Sequence, residues 1–514
     1  VSSGTDTTAV TPSADGHTGS GVLWLTAAKL YFMVTGVVLV LFLPALFKRF
    51  GGQDHVHLYG DYRTVVSLVN WFNMVLIGGT LPMVAKFVAE RDGRTHAVKW
   101  TALGLQTVIG GLAALLLFAG AGTLASRYYQ DSGLAPHLRL AAPIVLLYGY
   151  YAVVIGCMNG LRRFRHQATM DILFATLKVG LTVVLVALGL QIQGAIGALL
   201  FTACVALLVS WMLLGRQPRG EGVPWKTLLA FEWKTLLFAF FLNGLLQIDL
   251  QLLKGLAPSS LGDTSLQTGI YGAMQQIATL PYVATIAVAF VVFPLVSRST
   301  FDEDMETTRR YVTTTNRFVA ILLTAVVSVV ALFPEALIQI VYPGEYLAGV
   351  PSLRILAVGY LFFSGMVLNA NILTGAGRPL EATAWFGGTM VLSVALNVWL
   401  VPAHGGVGAS IAATLAMAAG FLGLAMNCKR RFGVFMPMGT ALRILLAAAA
   451  VAGIRWVAFP AIWVEPSGIT RLLPLLAMAG FGLLFLAVLA LTGEWTVHER
   501  ETFWRWVRRR FSWN

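Results

Sequence analysis

The chain has 514 residues, of which 57% are hydrophobic and only 11% charged, and its mean hydropathy is +0.75. A soluble domain carries about 25% charged residues, so this chain cannot cover a globular surface with polar groups and suits a lipid-facing one instead. The net charge of +13 comes with no aromatic-basic strand motif, which argues against nucleic acid and for basic residues that fix topology in cytoplasmic loops. Cys157, Cys204 and Cys428 lie far apart in or beside apolar runs; they read as small buried residues, with neither a disulfide framework nor zinc spacing.

Residues 1–21 are rich in Ser, Thr, Gly and Asp. They lack a basic segment ahead of an apolar core and read as a disordered cytoplasmic tail, leaving the first apolar helix as an uncleaved insertion signal. A span takes about twenty mostly apolar residues. On that measure spans fall at about 22–47, 60–88, 98–125, 138–160, 168–190, 194–214, 233–255, 267–296, 312–341, 351–374, 380–401, 406–427, 440–459 and 470–492. The expected fold is an all-α polytopic membrane protein of about 14 transmembrane helices. With the N-terminus in the cytoplasm, about 22 Lys and Arg residues face inward and about 7 outward, loop by loop, which supports an even count with both ends inside. In the tail 494–514, Trp495, Trp504, Trp506 and Trp513 accompany Arg505, Arg508, Arg509 and Arg510, with Phe503, Val507 and Phe511 at helical spacing. This predicts a helix on the inner leaflet, rings in the interface and guanidinium groups on anionic lipid; a partner-binding helix is the alternative.

Two stretches resemble each other: one starts at Gly160 and the other at Gly375. Each runs from a helix end through a Gly/Arg turn into a helix, a break and a Gly-Ala-rich helix start. Arg163 aligns with Arg378, and Gly197-Ala198 with Gly408-Ala409. A weaker match joins Gly60-Asp61-Tyr62 to Gly269-Ile270-Tyr271. An offset of six helices preserves orientation, so the copies are expected to be related by a pseudo-two-fold axis along the membrane normal. The expected division is an N-lobe of six helices (22–214), a cytoplasmic linker (215–232), a C-lobe of six helices (233–427), an added helix pair (428–493) and the basic-aromatic tail.

This layout resembles the superfamily of multidrug, oligosaccharidyl-lipid and polysaccharide exporters, and within it the polysaccharide (Wzx-like) flippase branch. The resemblance is carried by Leu58-Tyr59-Gly60-Asp61-Tyr62-Arg63, Gly160-Leu161-Arg162-Arg163-Phe164-Arg165, Gln247-Ile248-Asp249-Leu250-Gln251-Leu252-Leu253-Lys254 and Leu373-Thr374-Gly375-Ala376-Gly377-Arg378, and covers roughly residues 22–430. It implies two lobes, alternating access and movement of a lipid-linked sugar from the inner to the outer leaflet.

Ionisable residues inside spans cost several kcal/mol if unpaired and usually mark a substrate path. Lys29, Asp61, Arg63, Asp171, Lys178, Asp249, Lys254, Arg317 and Arg354 are such residues. A lipid-linked oligosaccharide carries a diphosphate, and Lys29, Arg63, Lys178, Lys254 and Arg317 are the candidate cavity cations for it. The alternative is that some reach the interface or pair with Asp61, Asp171 or Asp249. Asp249 is the candidate coupling-ion site, a structural pair with Lys254 being the alternative. Asn70, Asn73, Asn243, Gln247, Gln275, Gln276, Asn369, Asn371 and Asn397 can bind sugar hydroxyls or join helices. Pro44, Pro82, Pro143, Pro281 and Pro294 are candidate kinks.

No enzyme signature is present, neither a phosphate-binding loop nor a zinc-protease, nucleophile-elbow or dinucleotide motif. No cofactor is expected, and no metal site beyond a weak His55/His57/Asp54 grouping. The expected partners are the sugar-lipid substrate, membrane lipids, and polysaccharide polymerase or glycosyltransferase proteins, in a cell (inner) membrane. Two rival readings stand: a cation-coupled small-molecule or drug antiporter of the same fold, and a non-transporting scaffold for a polysaccharide-synthesis complex.

Overall fold

Backbone N–H and C=O groups find no partner in hydrocarbon, so a crossing segment closes its own hydrogen bonds as helix. The computed structural model describes residues 15–51, 54–90, 93–218, 222–458 and 473–494. In chain order the main helices are α1 (Asp15–Gly51), α2 (His55–Ala89), α3 (Thr95–Thr123), α4 (Leu134–Gly160), α5 (Phe164–Leu185), α6 (Gln191–Leu214), α7 (Trp225–Leu245), α8 (Ile248–Leu256), α9 (Thr264–Ala278), α10 (Leu280–Phe301), α11 (Met305–Leu332), α12 (Pro334–Val341), α13 (Val350–Gly375), α14 (Pro379–Phe432), α15 (Met438–Ala458) and α16 (Leu473–Leu491). Among the described residues, 11 helical segments are long and apolar enough to cross a membrane. The chain is an all-helical, multi-pass membrane protein.

The spans expected from sequence fall on these helices, with differences at the breaks. Helix α1 begins at Asp15, ahead of the expected start. The seventh span is interrupted at Leu246 and Gln247, between α7 and α8. The eighth is interrupted at Thr279, where Pro281 opens α10, a position that tolerates a residue without an N–H. The ninth ends at Phe333, and Pro334 opens α12 for the same reason. Pro44, Pro82, Pro143 and Pro294 lie inside continuous helices. The amphipathic helix expected in the tail lies outside the described residues, as does the start of the N-terminal segment.

The chain divides into two compact units, residues 1–52 with 65–240 and residues 53–64 with 241–514. In the first, α3 packs on α4, α1 on α5, and α6 on both α4 and α5. Its core includes Met83, Val98, Val153, Cys157, Met170 and Phe174. In the second, α13 packs on α10, α11 and α14, α14 on α8, and α15 on α11 and α16. Phe333, Ala447, Val451, Phe481 and Phe485 join α11 and α12 to the last two helices.

The two turns matched by sequence are built alike. After α4, the amides of Leu161, Arg162 and Arg163 donate to the carbonyls of Cys157, Asn159 and Met158 at 3.0, 2.9 and 2.8 Å. After α13, those of Ala376, Gly377 and Arg378 donate to Ile372, Thr374 and Leu373 at 3.0, 3.0 and 2.9 Å. The middle residue is left-handed in both, Arg162 at φ 55° and Gly377 at φ 77°. Each copy then runs into a long helical segment, Phe164–Leu214 or Pro379–Phe432, interrupted at Gly189 and Gln191 (φ 86° and 43°) or at Gly405 (φ 54°).

The weaker match has a physical counterpart too. A methyl group on Gly60 would strike the carbonyl of Ser265, and one on Gly269 would strike that of Val56. Only glycine lets the backbones of α2 and α9 approach this closely, and the two matched glycines are the ones that meet.

Candidate functional site

In the second unit, the N-terminal end of α2, the short α8 and the start of α9 bring together charges from distant parts of the chain. Lys254 is buried, and its Nζ donates to Asp61 Oδ1 at 3.2 Å and also to Ser265 Oγ. Ser265 Oγ donates to the same carboxylate oxygen at 2.6 Å. His57 lies between Asp61 (3.4 Å) and Asp263 (3.3 Å), and His55 lies 3.8 Å from Glu345. Among the described residues no group of three or more His, Cys, Asp or Glu side chains is arranged to hold a metal ion.

One turn further along, Arg63 Nη2 donates to Gln275 Oε1 at 3.1 Å. With its amide oxygen turned toward the guanidinium, Gln276 accepts from Arg63 Nη1 at 3.1 Å. The Gln275 amide nitrogen in turn donates to Asp249 Oδ1 at 3.1 Å. Asp249 also accepts from Tyr271 and from the backbone N–H of Leu250, the latter at 2.8 Å. The partners seen are Asp61 and Ser265 for Lys254, and Tyr271, Gln275 and the Leu250 amide for Asp249. Asp249 and Lys254 lie five residues apart on α8, which sets them about 140° apart around the helix. Beside this network Tyr59 stacks on Tyr62 and Tyr342 on Tyr346, and the two pairs meet edge to face through Tyr59 and Tyr346.

The first unit holds a different arrangement. Lys29 on α1 lies 3.6 Å from Asp171 on α5, and its side chain remains 51% exposed. Tyr31 and Thr176 hydrogen-bond at 3.0 Å across the same helix pair. Lys178 follows Asp171 by two helical turns, which sets both on one side of α5. It is partly buried and makes no ion pair among the described residues. This face thus carries two ammonium groups and one carboxylate.

Arg317 sits elsewhere. Its Nε donates to Glu494 Oε1 at 2.7 Å, Thr440 donates to the same oxygen at 2.7 Å, and Arg443 Nη1 reaches Glu494 Oε2 at 3.0 Å. Burial raises the Glu494 carboxyl, but the donors Thr440, Arg317 and Arg443 outweigh it and hold the group below the usual glutamate range.

One feature was not singled out in the sequence. Glu232 on α7 is fully buried and accepts from Thr80 Oγ1 at 2.8 Å and from Gln106 Nε2 at 2.7 Å, while its Oε2 has no hydrogen-bond partner among the described residues. In sequence it sits between Trp225 and Lys234 and reads as an interfacial charge. Of the polar residues named from the sequence, Asn73, halfway along α2, is buried, and neither of its amide atoms has a hydrogen-bond partner among the described residues. Asn369, by contrast, joins helices through Asn316 at 3.0 Å.

The model of a family described as "Polysaccharide biosynthesis protein" matches residues 57–351. The membrane protein YabM of Bacillus subtilis (strain 168) is 26% identical over 426 residues, covering 77% of this chain and 78% of YabM. Among solved structures, the inward closed conformation of the lipid II flippase MurJ superposes with a TM-score of 0.73 at 13% identity, covering 91% of this chain and 98% of that one. An inward-facing multidrug resistance MATE family transporter of the MOP superfamily superposes with a TM-score of 0.60 at 15% identity, covering 77% of this chain and 98% of that one. The fold is that of this superfamily.

Proposed function

The chain belongs to the polysaccharide biosynthesis protein family, and from that premise we propose that it is a flippase. In this reading it moves a lipid-linked oligosaccharide, carried on a polyprenyl diphosphate, from the inner to the outer leaflet by alternating access, for cell-surface polysaccharide synthesis. The observation that carries the reading is the α1–α5 face, where Lys29 pairs with Asp171 and Lys178 follows two turns along the same side of α5. A diphosphate crossing hydrocarbon needs compensating positive charge, and an exposed ammonium within a span belongs beside a water-filled cavity rather than lipid. Arg63, Lys254 and Arg317, all in the second unit, are largely buried against internal partners, so the half-exposed Lys29 and Lys178, unpaired among the described residues, are the first residues of the anion path. Asp249 is the coupling-ion residue.

The architecture that goes with this reading has 14 crossings, with lobes at 22–214 and 233–427, an added pair at 428–493, and both termini in the cytoplasm. The matched turns at Arg163 and Arg378 support two copies of one unit. The segments of 51 and 54 residues are each about 75–80 Å long as helix, against about 30 Å of hydrocarbon, and so hold two crossings each.

The test is translocation of a polyprenyl-diphosphate sugar in liposomes. Lys29→Ala and Lys178→Ala should each abolish it while the protein remains inserted; wild-type rates in both variants would overturn the anion path. A second reading, a cation-coupled antiporter of small molecules, is favoured by the neutral partners of Asp249, Tyr271 and Gln275. It predicts efflux of a cationic dye driven by a pH gradient, with no response to the lysine substitutions.

A further inference from the structure

The surface of the first unit carries a cleft that the transport reading does not use. It lies between α3, α4 and α6, encloses about 630 Å³, and is walled by Trp100, Leu103, Thr107, Tyr150, Cys204 and Trp211. The surface around it is apolar and exposed, with Val108, Leu112, Leu208 and Met212. On membrane-spanning helices such a surface faces lipid, so hydrocarbon chains are what this cleft meets.

One end of the cleft is charged. Lys99, in the second turn of α3, is only 5% exposed. Its Nζ lies 4.5 Å from the Trp211 ring and 5.3 Å from the Trp100 ring, both of which wall the cleft. It makes no ion pair or hydrogen bond among the described residues. The rings offer it cation–π attraction, but among the described residues no carboxylate pairs with this largely buried lysine, which leaves its charge uncompensated. Trp100 and Trp211 lie near the ends of their helices, where indoles mark the membrane boundary. At the same end, Arg163 Nη1 donates to the last carbonyl of α6, Leu214, at 2.9 Å, and Arg162 and Arg216 follow the ends of α4 and α6. An apolar slot thus opens at a boundary rich in positive charge.

We propose that this cleft binds an anionic phospholipid, with an acyl chain between α3, α4 and α6 and the phosphate on the Lys99 ammonium. A point charge such as lysine suits a phosphate, and a single chain fits the slot. This proposal is independent of what the protein transports.

Cys204 is the reporter, since it is exposed in the cleft wall while Cys157 and Cys428 are buried. The full chain is placed in nanodiscs of phosphatidylcholine alone or with phosphatidylglycerol, and the rate of alkylation by an uncharged maleimide is measured, with Cys204→Ala as background. Phosphatidylglycerol should slow Cys204 alkylation about fivefold, the scale of one lysine at a charged membrane surface. Lys99→Gln should abolish the difference and Lys99→Arg should restore it. Inorganic phosphate added to phosphatidylcholine discs should protect nothing; protection there would overturn the assignment to a lipid. Equal rates in both lipids, or full protection in Lys99→Gln, would overturn the site. Gly104 lines the cleft and has open space above it, so Gly104→Trp provides a variant that keeps Lys99. It should lose the phosphatidylglycerol that wild-type protein retains in native mass spectrometry; undiminished retention would count against the cleft.

Discussion

Lys254 and Asp61 stand 193 residues apart in the chain and 3.2 Å apart in space. Removing one partner of a buried pair leaves an uncompensated charge, which costs about 3–5 kcal/mol, whereas replacing both with apolar groups is often neutral. Lys254→Met and Asp61→Leu should therefore each lower the thermal midpoint of the purified protein sharply, and the double variant should recover most of the loss. A double variant as unstable as the sum of the singles would mean that Ser265 and His57, not the ion pair, hold this corner together.

Asp249 depends on neutral donors, Tyr271 and Gln275. Asp249→Asn keeps the shape and removes the charge. If the carboxylate couples transport to a proton gradient, the variant should still bind substrate in liposomes but lose any dependence of the rate on an imposed pH gradient. Unchanged gradient dependence would place coupling on another group.

Much of the fold was legible because the bilayer allows so few solutions. Twenty apolar residues must become a helix, and the basic loops between them are plain in the composition. The turns at Arg163 and Arg378 were legible because a left-handed residue followed by a helix start leaves a local trace. The partners of the charges were not. Asp61 and Lys254 come from helices far apart in the chain and nothing local pairs them, nor does anything local mark the break at Gln247 as the prolines mark Thr279 and Phe333. Glu232 was missed because a glutamate close to tryptophan and lysine at a span's start resembles an interfacial residue. Lys99 read as one more topological charge, and only its position over two indoles separates it from the rest.

Glu494 gives the attachment of the last two helices a pH dependence. Its carboxyl is held below the usual range by Thr440, Arg317 and Arg443, which outweigh the effect of burial. A depressed carboxyl contributes stability that is complete above its unfolded value, about 4.3, and is lost as the pH falls through its lower folded value. The thermal midpoint should therefore decline below that pH, and Glu494→Gln should flatten that limb while lowering stability at neutral pH. Identical acid limbs for the two proteins would show that other carboxyls dominate.

Glu232 makes a different prediction. Thr80 and Gln106 both aim donors at its Oε1. Glu232→Gln keeps that acceptor and should melt near the wild type. Glu232→Leu strands both donors at about 1–3 kcal/mol each and should melt well below it. Similar losses in both variants would mean that the negative charge itself is needed there.

Where Gly60 meets Gly269, α2 and α9 touch backbone to backbone. Ridges of side chains packed into grooves must be pulled from their sockets when helices part. A bare seam of this kind has no sockets, so parting it disturbs no rotamers and resealing it requires no search. The grip between the two helix ends is then set by the charges beside the seam, Asp61, Lys254 and His57, making it a fastening held by charge more than by the fit of its surfaces.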